Sequence, residues 1–336
     1  SGYSNVTGAS NTFVGTQAGT YQTGSYNTAF GHIALFGTNG QSNASYNTAL
    51  GYKAGNDITT GVGNTLIGSL AGDVITTGEY NVAIGREAMP AVGVAVSQNI
   101  AIGYLTLRLA NGSNNIAIGH LASYGGGTAT TSNNVVIGGS AGQQRTAGDS
   151  NVIIGVGASF GTGTGASNTV VGKSAGAALG TGYTNTLIGK DAGDNITTGN
   201  NNTCIGFQAD PPSNSSTNTI VLGNSSITDL RCQTQTIQGL SDKRDKTNIK
   251  DSEYGLDLIS SLKPVTFEWN QRDGNRKGLK DLGFIAQDLQ KVDDEHLKFV
   301  SDEDPEKLSA AYGRLIPVLV KSIQELKAEI EILKKK

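Results

Sequence analysis

A short block, Asn followed by three mostly apolar residues and then Gly, recurs through the first two thirds of the chain and constrains its fold more than any other feature. Examples are Asn64-Thr-Leu-Ile-Gly68, Asn81-Val-Ala-Ile-Gly85, Asn115-Ile-Ala-Ile-Gly119 and Asn185-Thr-Leu-Ile-Gly189. The Asn positions are 11, 27, 47, 64, 81, 99, 115, 134, 151, 168, 185, 202 and 218, spaced by 16 to 20 residues and mostly by 17. Seven residues after most of them stands an Ala (Ala54, Ala71, Ala88, Ala122 and so on), with Thr106 as the break. A strand-sized apolar segment returning at so short a period is the pattern of a β-solenoid or β-roll. Each unit offers a strand of four or five residues, too short to stand alone. The repeated Gly supplies a tight corner at positive φ. The repeated Asn is placed to stack on itself, passing amide hydrogen bonds along the axis. Thirteen such rungs at about 4.8 Å each make a rod of roughly 60 Å. The last unit, Asn218-Thr-Ile-Val-Leu-Gly223, has one extra residue and reads as an atypical terminal repeat.

Side chains alternate along a strand, so Val82 and Ile84 share one face and Ala83 takes the other. The intermediate position is also apolar elsewhere, as in Leu66, Val136 and Ile153. With both faces apolar, one is expected to fill the coil and the other to meet a partner chain. A monomeric solenoid with a two-layer core is the alternative.

Charge changes abruptly near residue 240: 37 of the 53 charged residues follow it, whereas 42 of the 47 glycines precede it. Two physical solutions are joined there. The reading divides the chain into a repeat shaft over 1–223, a β connector over 224–240 and a third region over 241–336. Within the connector, Thr234 and Thr236 alternate with Gln and predict a final strand. A net charge of −3 argues against a nucleic-acid binder. No apolar run approaches the roughly 20 residues that span a bilayer, so no membrane insertion is expected. Glycine is abundant without a G-X-Y period, which excludes collagen. Cys204 and Cys232 are too few for a disulfide scaffold, and Cys204 occupies a position that other repeats fill with Ala, Leu or Val. His32, His120 and His296 lack metal-ligand spacing, so no metal or cofactor is expected.

The units resemble the head repeats of trimeric autotransporter adhesins and, more closely, the Asn-Thr-Ala-φ-Gly arrays of phage fibre proteins, over roughly residues 11–223. That resemblance implies a trimeric, left-handed parallel β-roll.

After residue 240 comes Ser241-Asp-Lys-Arg-Asp-Lys246-Thr-Asn-Ile249. By itself this reads as a solvated helix start with Ser241 as N-cap. It is followed by an amphipathic segment, Tyr254–Leu262, then Lys263-Pro-Val-Thr-Phe-Glu-Trp269 and Leu282-Gly-Phe-Ile-Ala-Gln-Asp288. In that order the motifs resemble the C-terminal intramolecular chaperone auto-processing domain of phage tail fibres and tailspikes, over about 241–336. The resemblance implies single-turnover self-cleavage by a Ser–Lys dyad, matched here by Ser241 and Lys246, at the bond between Leu240 and Ser241. Ser241 would attack the Leu240 carbonyl and Lys246 would act as general base, which requires a neutral amine favoured by burial or neighbouring cations. Lys243 and Arg244 are candidate cationic neighbours. Asp242 and Arg244 are possible supporting residues, and Asp242 and Asp245 are read as orienting backbone or pairing with Arg.

Towards the end, Ile316, Leu319, Ile323, Leu326, Ile330 and Leu333 follow 3-4 spacing with Lys and Glu between them, which predicts a coiled-coil helix over about 314–334. Pro317 falls in its first turn, where a missing N–H costs little. Alternating Ile and Leu favours two strands by peptide rules, whereas the resemblance implies three. A helix packed on its own domain is the alternative.

The expected fold is therefore mainly β, a trimeric parallel β-roll shaft followed by an α+β chaperone domain ending in a coiled-coil helix. The implied function is a virion tail fibre or tailspike segment for host attachment, assembled in the host cytoplasm as a homotrimer. Its implied partners are a bacterial cell-surface receptor, glycan or outer-membrane component, and other tail proteins through an N-terminal part expected before Ser1. A bacterial trimeric adhesin head and a polysaccharide-degrading tailspike are the alternatives. Against the latter, Asp57, Asp73 and Asp194 recur in similar Ile-Thr-Thr loops and read as turn residues, or as an ion site, rather than a catalytic carboxylate pair. No multi-turnover activity is expected of the shaft.

Overall fold

The computed structural model describes residues 1–336 except Val6, 91–94, 109–111, 126–130, 234–238, Asp273, Asn275 and Lys307. Two compact units are present, Ser1–Asn224 and Ser225–Lys336.

The first unit is a parallel β-solenoid. Its thirteen strands, from β1 (Thr12–Val14) to β13 (Ile220–Leu222), pair in chain order in one parallel sheet. Register is exact from rung to rung, as in Val82 with Ile100, Ala83 with Ala101 and Ile84 with Ile102. Each strand has three residues rather than four or five. The repeat's Asn spends its side chain on the neighbouring rung and its Gly turns the corner, which leaves only the three residues between them.

The middle residue of the strand fills the core: Leu66, Ala83, Ala101, Ile153 and Val170 are buried. So is the Ala column, from Ala18 to Ala209. Thr106, the break in that column, is equally buried, and its hydroxyl donates to the Gly119 carbonyl at 2.9 Å. Cys204 is a mid-strand core residue like its equivalents, and burial pushes its thiol up to about 11. The flanking positions are half-buried, as Val82 and Ile84 are, or exposed; the first is often Thr, whereas the second is apolar in every strand from Val14 to Leu222 and forms an apolar stripe outside the coil.

The Asn residues form the expected ladder. At Asn168 the side-chain oxygen accepts from both the backbone N–H (2.9 Å) and the amide (3.1 Å) of Asn185. Its own amide donates to Asn151 Oδ1 at 3.1 Å and to the Gly182 carbonyl at 3.0 Å. Every polar valence of a side chain 1% exposed is thereby satisfied. The ladder ends at Asn202, and Asn218 is not part of it. Thr219 takes the equivalent place, its N–H donating to Asn202 Oδ1 at 3.1 Å, while Asn218 instead accepts from Asn201 on the outside. The extra residue of the last unit accounts for this one-place shift.

The corner glycines have φ between +123° and +143° from Gly15 to Gly206. They also touch: a Cβ on Gly68 would stand 2.5 Å from the Gly85 carbonyl oxygen. Glycine is thus required here twice over, by conformation and by the approach of the next rung.

The described residues of the connector, 224–233 and 239–240, form no strand. Thr234 and Thr236, on which that expectation rested, lie outside the described residues.

The second unit is α+β. Helix α1 (Leu256–Ser261) is followed by an antiparallel pair, β14 (Val265–Glu268) with β15 (Lys280–Gly283), then by α2 (Ala286–Leu289). A second pair, β16 (Val300–Ser301) with β17 (Ser309–Ala310), leads into α3 (Leu315–Leu333). Leu289, Leu297, Phe299, Leu315 and Val318 make a small core on which Leu258 and Ile259 pack. Glu325 of α3 accepts from the Leu256 N–H at 2.7 Å, capping α1 and fastening the two helices.

Helix α3 has two working faces. Leu315, Val318 and Ser322 are buried against their own unit. Ile316, Leu319, Ile323, Leu326, Ile330 and Leu333 are all at least 42% exposed. The heptad positions are therefore separate from the face that docks the helix on its own unit. No helix among the described residues is long and apolar enough to cross a membrane.

Candidate functional site

Ser241 and Lys246 are brought together by one turn of 3-10 helix, Lys243–Asp245. Asp242 caps that turn, in place of Ser241: its carboxylate accepts from the Arg244 N–H at 2.9 Å. The same carboxylate holds the Arg244 guanidinium at 2.6 Å. These hydrogen bonds from Arg244 keep Asp242 below the usual carboxylate range. Arg244 is thus directed to Asp242 rather than to Lys246. The Lys246 N–H closes the turn on the Lys243 carbonyl at 3.2 Å.

The result is a direct contact, with Lys246 Nζ 2.5 Å from Ser241 Oγ and 3.4 Å from the Ser241 carbonyl oxygen. A short amine–hydroxyl contact is the geometry that general-base activation of a serine requires. Ser241 follows Leu240, which is fully exposed, and Ser241 and Lys246 are both exposed in the single chain.

Further along, several hydrogen-bond anchors escaped the sequence reading. Asp293 accepts from the Phe299 and Val300 N–H groups at 2.8 and 2.9 Å, and Asp294 accepts from His296 and Leu297. Tyr254 donates to Asp294 at 2.5 Å, and that bond raises the phenol to about 12. Asp281 accepts from the Trp269 indole at 3.0 Å while Arg276 lies 4.4 Å from the centroid of the same ring. The Asp293-Asp294 doublet is the one sequence signal that could have pointed to the first pair; the others join residues too distant for spacing to reveal them.

Cys232 is exposed, and no group of His, Cys, Asp or Glu suited to a metal occurs among the described residues. His32 and His120 stack instead on Tyr52 and Tyr104, with ring centroids 5.6 Å apart in each case. Asp57 and Asp73 lie in stacked loops, the Asp57 N–H donating to the Asp73 carbonyl at 3.0 Å. Burial first, and the charge of Asp57 second, push Asp73 up to about 6.

No curated protein and no solved structure matches the chain. A family model does: residues 241–298 match the chaperone of endosialidase. That segment begins at Ser241 and contains Lys246, the Asp293-Asp294 loop and the first antiparallel strand pair. Set behind a parallel β-solenoid, the segment over 241–298 is a self-cleaving chaperone domain of the endosialidase-chaperone family.

Proposed function

We propose that this chain is the distal segment of a phage tail fibre, a homotrimeric shaft wound in register by its C-terminal domain and then cut from it between Leu240 and Ser241. The observation that carries the reading is the 2.5 Å contact between Ser241 Oγ and Lys246 Nζ at the first residue of the matched segment.

In the cleavage step, neutral Lys246 takes the hydroxyl proton as Ser241 Oγ attacks the Leu240 carbonyl carbon. The C–N bond breaks, the Ser241 nitrogen takes a proton from the Lys246 ammonium, and Leu240 is left as an ester on Ser241 Oγ. Water then hydrolyses the ester, giving a Leu240 carboxylate and restoring the hydroxyl. The Asp242–Arg244 pair holds the turn that positions both groups. Desolvation favours a neutral amine, so enclosure of the exposed dyad by neighbouring copies would tie cleavage to assembly.

Assembly follows from two exposed apolar surfaces. The outer strand stripe and the free heptad of α3 both call for further copies of the chain. Parallel pairing between distant segments is slow, and identical rungs make slipped registers nearly equal in energy. A trimerising C-terminal domain fixes the ends, so winding starts in register. Removal of that domain deletes the route back through the nucleus, and a kinetic barrier then holds the fibre. Such a shaft serves host attachment in the virion, against a bacterial surface receptor.

Intact-mass analysis of the wild type beside Ser241→Ala and Lys246→Ala tests the cut. The expected result is two products, 1–240 and 241–336, from the wild type and one uncut chain from each variant. A folded, assembled wild type that stays whole would remove both residues from catalysis.

A further inference from the structure

We propose that the column of side chains immediately past the corner glycines binds a linear polysaccharide, with a ring-sized subsite beside His120 above Gly139. The proposal rests on the attachment reading, narrows its receptor to a linear polysaccharide and gives the place where it sits.

One residue per rung follows the corner, and in this column His32 stacks on Tyr52 and Tyr104 on His120, at interplanar angles of 23° and 20°. Arg86 lies 5.5 Å from the Tyr104 centroid and Lys190 4.8 Å from that of Phe207. All of these side chains are exposed, and none contributes to the solenoid core, which is built from mid-strand residues and the Ala column. The column lies beyond the corner, off the apolar strand stripe that calls for a second copy.

The chemistry selects the partner. Arg86 is paired with Glu87 at 2.7 Å and Lys190 with Asp191 at 2.8 Å, so the cations that border Tyr104, next to the subsite, and Phe207 are largely cancelled. A nucleic acid or an anionic lipid surface is bound through unpaired cations. A sugar polymer needs what is present here: π surfaces for the apolar side of each pyranose, and paired ions whose donors and acceptors both suit hydroxyls.

The subsite follows from an interruption of the column. Tyr104 has Arg86 on the rung before it and His120 on the rung after. Beyond His120 the next rung offers Gly139, and a Cβ built there meets nothing within 4 Å. Gly139, unlike the corner residue Gly138 at φ +135°, has no positive φ that would demand glycine. The next side chain in the column is Val156, 60% exposed. Two rungs span roughly 10 Å, and a ring between His120 and Val156 needs about 7–8 Å at ordinary contact distance on both sides.

The test uses the full chain and an array of neutral and acidic bacterial surface polysaccharides. His120→Ala removes the stacking surface, and Gly139→Leu fills the notch without removing any group. Both should weaken binding by about tenfold, with unchanged thermal unfolding, while Tyr26→Ala on the other side of the strand leaves binding intact. Retention of no polysaccharide, or wild-type binding by both variants, overturns the proposal. Adsorption to bacterial cells separates the two levels. A wild type that adsorbs with Gly139→Leu adsorbing equally well removes the subsite alone. A wild type that adsorbs to no bacterium in a broad panel removes the attachment reading as well.

Discussion

Replacing Asn168 by Ala tests how the shaft is held together. The side chain makes four hydrogen bonds at 2.9 to 3.1 Å, linking three consecutive rungs. Alanine removes all four, but their consequences differ. Asn151 Oδ1 keeps the Asn168 backbone N–H at 3.0 Å, and the Asn185 amide keeps the Gly199 carbonyl at 2.9 Å. The Asn185 N–H and the Gly182 carbonyl lose the partners just named. Two buried backbone groups left unsatisfied cost about 1–3 kcal/mol each, or about 2–6 kcal/mol per chain. Asn168→Asp should be worse, because a carboxylate then faces two acceptors, Asn151 Oδ1 and the Gly182 carbonyl. Equilibrium unfolding followed by circular dichroism is best measured in a Ser241→Ala background, where the chaperone stays attached and refolding is available. Thr169→Ala, on the half-exposed strand face, serves as the control. An Asn168→Ala chain within about 0.5 kcal/mol of its background would refute the ladder as a main source of stability.

Two further outcomes follow from the same structure. Asp73 has its acid strength reduced by burial and by Asp57, so the folded shaft binds its proton more tightly than the unfolded chain; shaft stability should fall as pH rises from 3.8 to about 6, and Asp73→Asn should flatten that slope in a pH series of equilibrium unfolding in the same Ser241→Ala background. The exposed heptad should be separable from the fold: Leu319→Asp with Ile323→Asp should abolish assembly and cleavage while unit 2 keeps its helices, whereas Val318→Asp should unfold it, as light scattering and circular dichroism would show.

Much of the shaft could be read from residue types alone because its forces repeat. A buried amide, a corner glycine and an Ala each recur at one place per period, so a one-dimensional pattern maps onto stacked rungs. What the pattern missed are departures from helix or strand periodicity. Tyr26, Tyr46 and Tyr80, just before or near the ladder, adopt φ of 56° to 61°, a conformation no propensity suggests for tyrosine. They are held there by rung-to-rung bonds such as Tyr46 N–H to the Ser25 carbonyl at 3.0 Å. The Asn218 shift was missed because asparagine recurs at the surface too, and only pairing distinguishes Asn218 from Thr219. In the second unit, Ser241 and Lys246 stood out through motif order, since a Ser and a Lys five apart carry no signal themselves. The turn that joins them depends on Asp242 binding Arg244, which sequence left as one option among several. The role of Glu325 was hidden because its partner, Leu256, is 69 residues away.

The central claim is that a domain which sets the register of the shaft is removed once it has done so. Its most direct test is recovery after complete chemical unfolding, comparing cut wild-type fibre, with the 241–336 product removed, and uncut Ser241→Ala. The account predicts that the uncut chains regain assembled β structure on dilution, whereas the 1–240 chains unfold more slowly and, once unfolded, aggregate or remain unpaired. If both refold with equal yield, or if the uncut fibre unfolds as slowly as the cut one, the C-terminal domain neither directs assembly nor locks it by leaving.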